Sequence, residues 1–271
     1  MKGSRLTALP YVLWSIAFVV IPLVLILVFA LTSPAGGFTL DNLSKIGRYA
    51  NIFVKSIYLA LIATVLCLLI GYPLAYIISR SREMNQQNLV LLLMLPMWMN
   101  FLLRTYGWMT LIEDTGVINN LLGRVGLGPF HMINTQGAVV LGMVYNYLPF
   151  MVLPLYSILV KIEKPVIEAA QDLGADWFHI LRKVLLPLSV PGIVSGVTMV
   201  FVPSISTFII SKMLGGGSNM LIGDLIEQQF LGGNYNPHLG SAISLVLMIV
   251  MLVIMGVINS MEEDDMEGML V

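Results

Sequence analysis

Two carboxylates, Glu168 and Asp172, stand four residues apart in a segment that is bordered on both sides by nearly uncharged sequence. In a helix this spacing places both side chains on one face, where their like charges repel each other slightly. Ala169 and Ala170 lie beside them, and their small side chains let another chain approach closely. Such a helix could enter a groove lined by basic residues on a partner protein, or it could lie on a membrane surface with its charges in water. The residues alone favour neither interpretation.

The segment around this pair, residues 161–187, has the pattern of two short helices joined by a glycine turn. Pro165 suits a first helical turn, where its missing N–H costs no hydrogen bond. Gly174 stands where a left-handed C-terminal cap is usual, and Asp176 can cap a second helix. The apolar stripe of the first helix has helical spacing and consists of Val166, Ala169, Ala170 and Leu173. The pattern predicts a helix–turn–helix at a membrane face.

The rest of the chain requires lipid as its solvent. Of 271 residues, 58% are hydrophobic and 11% are charged, whereas a soluble domain has about 25% charged residues. Six apolar stretches each have the ~20 residues that a helix needs to cross ~30 Å of hydrocarbon. No alternating barrel pattern occurs, so the predicted fold class is all-α integral membrane, in one transmembrane domain, 1–271. The predicted spans are approximately 8–31, 56–78, 88–110, 137–159, 189–211 and 239–260.

Basic residues indicate the orientation. Lys2, Arg5, Arg80 and Arg82 lie on the side of the membrane that carries both termini, together with the basic residues of 161–187. Because Lys and Arg accumulate in cytoplasmic segments, both termini are predicted to be cytoplasmic. The first apolar run is longer than the core of a signal peptide and lacks a convincing cleavage site, so we expect it to be a retained span.

Motifs for catalysis or for nucleotide and metal binding do not occur in this sequence. The phosphate loop GxxxxGK[ST] and the motifs HExxH, GxSxG and CxxC are all absent. The histidines, His131, His179 and His238, are far apart and are expected to be surface residues rather than metal ligands. We therefore predict no catalytic residues, no metal site and no nucleic-acid partner. The function classes that remain are transport and a structural role in a membrane complex.

The stretch EAAQDLGADWFHILRKVLLP, residues 168–187, resembles the EAA loop of the permease subunits of ABC importers, with Val184 in place of the usual Ile. Further stretches, such as GYPLAYIISR at 71–80 and MLGGGSNMLIGDLI at 213–226, resemble the spermidine/putrescine permeases of that class. The resemblance covers most of the chain. It implies the type I ABC importer permease fold, with six transmembrane helices and a cytoplasmic coupling helix-turn-helix. The ATPase-coupling residues that it implies are Glu168, Ala169, Ala170, Asp172, Gly174 and Pro187.

The same resemblance implies an import complex in the plasma (inner) membrane of a prokaryote. This chain would pair, within membrane lipid, with a second homologous permease subunit, two ATPase subunits and an extracytoplasmic polyamine-binding protein. ATP and magnesium would bind to the partner ATPase, so no cofactor is expected in this chain. Spermidine and putrescine are the implied substrates. A permease for another small solute is the main alternative, and an ion-coupled transporter or channel is disfavoured because the spans lack pairs of ionisable residues.

A route for polyamines would need carboxylates for the ammonium groups and aromatic faces for cation–π contact. The candidates for this route are Trp98, Tyr106, Trp108, Glu113, Asp114, Tyr145, Tyr147, Phe208, Asp224 and Glu227. The aromatic members could equally form an interfacial belt. Two basic residues, Arg104 and Lys212, oppose a cation route. Some polyamine permeases of this type carry an acidic residue near the position of Lys212.

Overall fold

The described part of the chain, residues 9–233 and 235–269 of a computed structural model, consists of helices and connecting loops without a β-sheet. An isolated antiparallel bridge pairs Thr32 with Phe38. The helices are α1 (Leu9–Ala30), α2 (Asp41–Arg80), α3 (Glu83–Trp98), α4 (Phe101–Ile112), α5 (Val117–Arg124), α6 (Gln136–Leu159), α7 (Lys164–Asp172), α8 (Trp177–Leu188), α9 (Val190–Ser206), α10 (Ile209–Leu214), α11 (Ile222–Leu231) and α12 (Pro237–Met269).

Four of these helices are long and apolar enough to cross a membrane unbroken, namely α1, α2, α6 and the part Pro237–Ile258 of α12. Two further candidates are bent. The axis turns by 88° between α3 and Phe101–Arg124, and by 70° between α8 and α9. If each bent pair is one span, six spans result. The predicted third span, 88–110, thus covers the end of α3, a break and most of α4.

At the first break, a side chain accepts hydrogen bonds from backbone N–H groups that lack a helical partner. At the start of α4, the Asn100 side chain accepts hydrogen bonds from the N–H groups of Leu102 (2.8 Å) and Leu103 (3.4 Å). These are two of the N–H groups that a helix start leaves without a partner. After α9, the helix stops at Thr207, whose backbone is extended (φ −64°, ψ 139°). The predicted fifth span, 189–211, thus covers α9, the break at Thr207 and the first residues of α10.

The chain divides into two compact units: residues up to Phe53 with Leu225–Val253, and Val54–Asp224 with the chain from Ile254 onward. In the first unit, the end of α1 is held by side chains. The Asn42 amide donates to the Ala30 carbonyl (3.3 Å), and His238 Nδ1 lies 3.0 Å from the Phe29 carbonyl oxygen. The apolar length of α1 before its last turn is not buried against the rest of the described chain.

The second unit is built on the close packing of α6 against α9. Gly192 and Gly196, four residues apart on α9, face α6. A Cβ atom at position 196 would lie 2.7 Å from the Met151 sulfur and 3.2 Å from the Met151 carbonyl oxygen, and one at position 192 would lie 3.1 Å from the Pro154 carbonyl oxygen. Small residues at this spacing let membrane helices approach backbone to backbone. Met151 itself is fully buried.

This packing predicts that Gly196→Val destabilises the protein. The added side chain would collide with the α6 backbone, and overpacking of this kind costs about 1–3 kcal/mol. We expect a lower midpoint of thermal unfolding in detergent. Gly256→Val on α12 is the matched control, because a Cβ there has no neighbour within 4 Å. Equal midpoints for the two variants would contradict close α6–α9 packing.

Candidate functional site

The first helix of the acidic segment, α7, forms as its sequence predicts. Pro165 lies in its first turn. At its end the Ala175 N–H donates to the Ala170 carbonyl (3.1 Å) and the Gly174 N–H to the Gln171 carbonyl (2.8 Å). Gly174 has φ +80°, the left-handed conformation in which a side chain would be strained. The glycine is needed for its backbone, since a Cβ there would meet nothing within 4 Å.

The second helix, α8, begins at the cap predicted from sequence. The Asp176 carboxylate accepts a hydrogen bond from the His179 N–H (2.8 Å), and the same oxygen lies 2.7 Å from His179 Nδ1. These hydrogen bonds, led by the one from the His179 N–H, hold the pKa of Asp176 below its usual value. The turn from α7 to α8 is therefore capped at both of its ends.

The face of α7 that carries the acidic pair is open. Glu168, Ala169 and Asp172 are exposed, and Leu173, a member of the predicted apolar stripe, is 90% exposed. The buried side chain with which α7 packs against the rest of the protein is instead Ile167. Exposed carboxylates beside exposed apolar side chains form a surface that a partner protein could cover, because the apolar side chains gain from exclusion of water and the carboxylates can pair with basic groups of the partner.

The end of α8 runs into the membrane part. Pro187 lies in its last turn, and the bend to α9 follows at Ser189. Near its start, the Trp177 ring packs on Tyr76 of α2, with 5.0 Å between ring centroids. The sequence analysis did not identify Tyr76. The available signal was the spacing of four residues between Tyr72, Tyr76 and Arg80 in GYPLAYIISR, which places the three on one helix face.

The structure brings together some of the aromatic candidates for the substrate route. The rings of Trp108 and Tyr145 meet at 5.2 Å between centroids. The Arg104 guanidinium lies 6.0 Å from the centre of the Tyr145 ring and 5.8 Å from that of Phe101. Tyr147, two residues after Tyr145, is buried. Its hydroxyl donates a hydrogen bond to the Pro203 carbonyl (3.4 Å). The positively charged Arg104 therefore lies beside the aromatic pair of Trp108 and Tyr145.

The remaining candidates are distributed over the surface or engaged locally. Trp98, Tyr106 and Phe208 are exposed. Glu113 is exposed at the end of α4, and exposed Asp114 lies 3.0 Å from His131 Nδ1. Asp224, in contrast, is buried and accepts a hydrogen bond from the Leu221 N–H (2.8 Å), while Glu227 is half-buried. Their role in substrate movement stays a prediction.

The histidines do not form a common site. His131 and His179 are largely exposed, each beside an aspartate. His238 is half-buried and lies at the end of α1, so it is less solvated than the sequence predicts. Within residues 9–233 and 235–269, no group of three or more His, Cys, Asp or Glu side chains is placed to hold a metal ion.

Apolar spans that carry an exposed, doubly capped helix–turn–helix define a membrane-embedded transport component. The chain belongs to the family described as binding-protein-dependent transport system inner membrane component, whose model matches residues 71–261. It is 37% identical over 260 residues to the spermidine/putrescine transport system permease protein PotB of Haemophilus influenzae, covering 92% of this chain and 91% of that one. It is 39% identical over 218 residues to PotB of Escherichia coli K12, covering 79% of each.

Two solved structures share the fold. A bacterial ABC transporter involved in the import of the acidic polysaccharide alginate matches with a TM-score of 0.76 at 21% identity, covering 96% of this chain and 94% of that chain. An alginate ABC transporter in complex with a pentasaccharide-bound periplasmic protein matches with a TM-score of 0.71 at 18% identity, covering 95% and 92%. At this identity the likeness shows the type I importer permease fold of the chain, as the sequence predicted.

The cap of α8 can be tested by hydrogen exchange. Asp176→Ala should speed amide exchange in peptides covering the start of α8, and Asp176→Asn, which keeps an acceptor of the same shape, should retain most of the protection. Since the folded pKa of Asp176 is lowered, its contribution is complete above the ordinary carboxyl value and is lost as the pH falls through the lowered one. Unchanged exchange in Asp176→Ala would contradict the cap.

Proposed function

We propose that this chain is a transmembrane permease subunit of an ATP-driven importer that moves polyamines into the cytoplasm. The observation that carries the proposal is the α7–α8 segment, in which Glu168 and its apolar neighbours are presented outward on capped helices. The PotB names of the relatives support polyamines as the substrate class. The chain itself would perform no catalysis, because ATP and magnesium would be handled by partner subunits.

Helix α7 would be the coupling helix, docking in a cleft on an ATPase subunit. Glu168 would pair with a basic or N–H donor group there, and charge-assisted hydrogen bonds of this kind are stronger than neutral ones. Leu173 and Val166, which are both exposed, would become buried. When two ATPase subunits close on ATP, the coupling helices of this chain and of a second permease would move together.

The orientation follows from the same assignment. With α7 at the cytoplasmic face, both termini are cytoplasmic, and α5 with its flanking loops faces outward. An open cavity of about 620 Å³ there is lined by polar groups that include Asp114, Asn119 and Asn120. A ligand-loaded, extracytoplasmic binding protein would approach this side. The membrane is the plasma (inner) membrane of a prokaryote.

A permease for a different small solute is the second candidate, and Arg104 is the observation that favours it. Its guanidinium occupies the face of Tyr145 at which a cation–π contact to an ammonium group would otherwise form. A polyamine passing Trp108 and Tyr145 would meet repulsion from this charge. A solute with anionic or neutral polar groups would instead gain a hydrogen-bond donor.

A ligand panel decides between these candidates. The complex of this chain with its partner permease, ATPases and binding protein is placed in liposomes, and ATP hydrolysis is measured with spermidine, putrescine, an acidic oligosaccharide or no ligand. We expect the polyamines alone to stimulate hydrolysis and to accumulate inside. Stimulation by the oligosaccharide without a response to polyamines would reject the polyamine assignment, and uptake without ATP would reject the importer.

The coupling role predicts that Glu168→Ala lowers both uptake and ligand-stimulated ATP hydrolysis, by about tenfold, a size typical of coupling between distant sites. The ATPase subunits should still co-purify, because the apolar contacts of α7 remain. Glu83→Ala is the matched control, since Glu83 is an exposed carboxylate at the start of α3. Full activity in the Glu168 variant, or an equal loss in the control, would contradict the coupling assignment.

A further inference from the structure

The last turns of α2 carry three side chains that contact the segment around α7 and α8 at separate places. Tyr72, Tyr76 and Arg80 follow one another at intervals of four residues, so they lie along one face of α2. Each contacts a different part of the chain between the end of α6 and the start of α9. The function proposed above gives these contacts with α2 no role.

Arg80, Tyr76 and Trp177 contact one another in series, and this series connects α2 with α8. The Arg80 guanidinium lies 5.4 Å from the centre of the Tyr76 ring, and the same ring meets Trp177 at 5.0 Å with a tilt of 59°. Both distances are in the range at which cation–π and aromatic pairs attract. The start of α8 is thereby connected to α2.

The guanidinium also closes the C-terminal end of α6. Arg80 Nη1 donates to the Ile162 carbonyl (2.9 Å), and Nη2 is 3.4 Å from the Leu159 carbonyl oxygen. A cation is favoured there, because the last carbonyl groups of a helix lack backbone donors and carry partial negative charge. One side chain thus joins the end of α2, the end of α6 and, through Tyr76, the start of α8.

The other end of α8 is held at the bend. Ser189, at the 70° turn into α9, donates its hydroxyl hydrogen to the Leu186 carbonyl (3.1 Å). Its oxygen lies 3.0 Å from the Tyr72 hydroxyl. Either hydroxyl can donate in this second hydrogen bond. Both side chains belong to buried residues, which makes loss of either partner costly.

Between these two contacts the helices leave space. A cavity of about 360 Å³ is lined by residues of α2 and α8, namely Tyr72, Pro73, Tyr76, Ile77, Trp177 and Leu181. Helix α8 is therefore connected to α2 near its start and at its end, with room between. Because α8 is held at both places, it can move with α2 as one rigid body rather than slide over it.

We propose that Tyr72, Tyr76 and Arg80 form a positioning strut that makes α8 move with α2. Resting on the importer function proposed above, the strut passes the displacement of α7 to α2 and, through the Ser189 bend, to α9. Without it, the displacement is absorbed by tilting of α8 into the adjacent cavity. The strut acts on coupling and contacts neither the ATPase nor the solute.

The test compares uptake per ATP hydrolysed in reconstituted complexes. Tyr76→Ala and Trp177→Ala should each lower this ratio by about tenfold, the size of a typical coupling between sites. Tyr76→Phe and Trp177→Phe, which keep an aromatic contact, should restore most of it. The double alanine variant should be no worse than Tyr76→Ala, because that variant already lacks the contact with Trp177. Tyr72→Phe should also lower the ratio, since its ring stays but its hydrogen bond is lost.

Tyr58→Ala is the matched control, since it removes an exposed tyrosine ring from the same helix. The ratio is measured with whichever solute the wild-type complex imports, so a wrong polyamine assignment does not affect it. The strut is rejected if the alanine variants keep the wild-type ratio, if the phenylalanine variants are equally defective, or if the alanine variants only reduce the amount of assembled complex. Wild-type uptake without ATP would reject the proposed importer function and the strut together, whereas a normal wild type with unaffected variants rejects the strut alone.

Discussion

The backbone's need for hydrogen bonds inside hydrocarbon is the constraint on which the rest of this structure depends. Lipid offers no partner to a free N–H or C=O group, so a spanning segment must be a helix or part of a closed barrel, and this sequence lacks the alternating pattern of a barrel. Where the helix is interrupted, the chain supplies the partner itself, as the Asn100 side chain does for the N–H groups of Leu102 and Leu103. Such breaks let a span change direction without leaving its backbone unpaired. The cap at Asn100 lies at the 88° bend between α3 and the helices that follow it.

The same constraint explains how the charges are distributed. A cation that is shielded from water is costly unless it has partners, and the half-buried Arg80 finds them in the carbonyl groups at the end of α6. Arg104 lies within an apolar helix and rests on the rings of Phe101 and Tyr145. In the α7–α8 segment, by contrast, Glu168 and Asp172 remain in water. Charge is thus either paired at a helix end, placed against rings, or kept available at a surface.

Close packing supplies the rigidity that a transport component requires. Helix α9 approaches α6 through Gly192 and Gly196, where an added Cβ atom would crowd the side chains and carbonyl oxygens of α6. A tight pair of spans transmits displacement well because its side chains interlock. The segment α7–α8 is less enclosed, and few buried side chains seat it on the remainder of its unit. The tightly packed α6–α9 pair and the exposed α7–α8 segment are consistent with a protein that a partner contacts at this one surface.

The sequence by itself determined the membrane environment, the helical class and the local form of the α7–α8 segment. Pro165, Gly174 and Asp176 act on residues within four positions, so their roles can be read without knowing the remainder of the fold. Only the tertiary structure decided which face of α7 is buried, since Ile167 is seated on the chain and Leu173 is not. It also decided that Tyr76 meets Trp177 and that Asp224 is enclosed. These contacts join residues far apart in sequence, and their free energy depends on helix directions that no local pattern encodes.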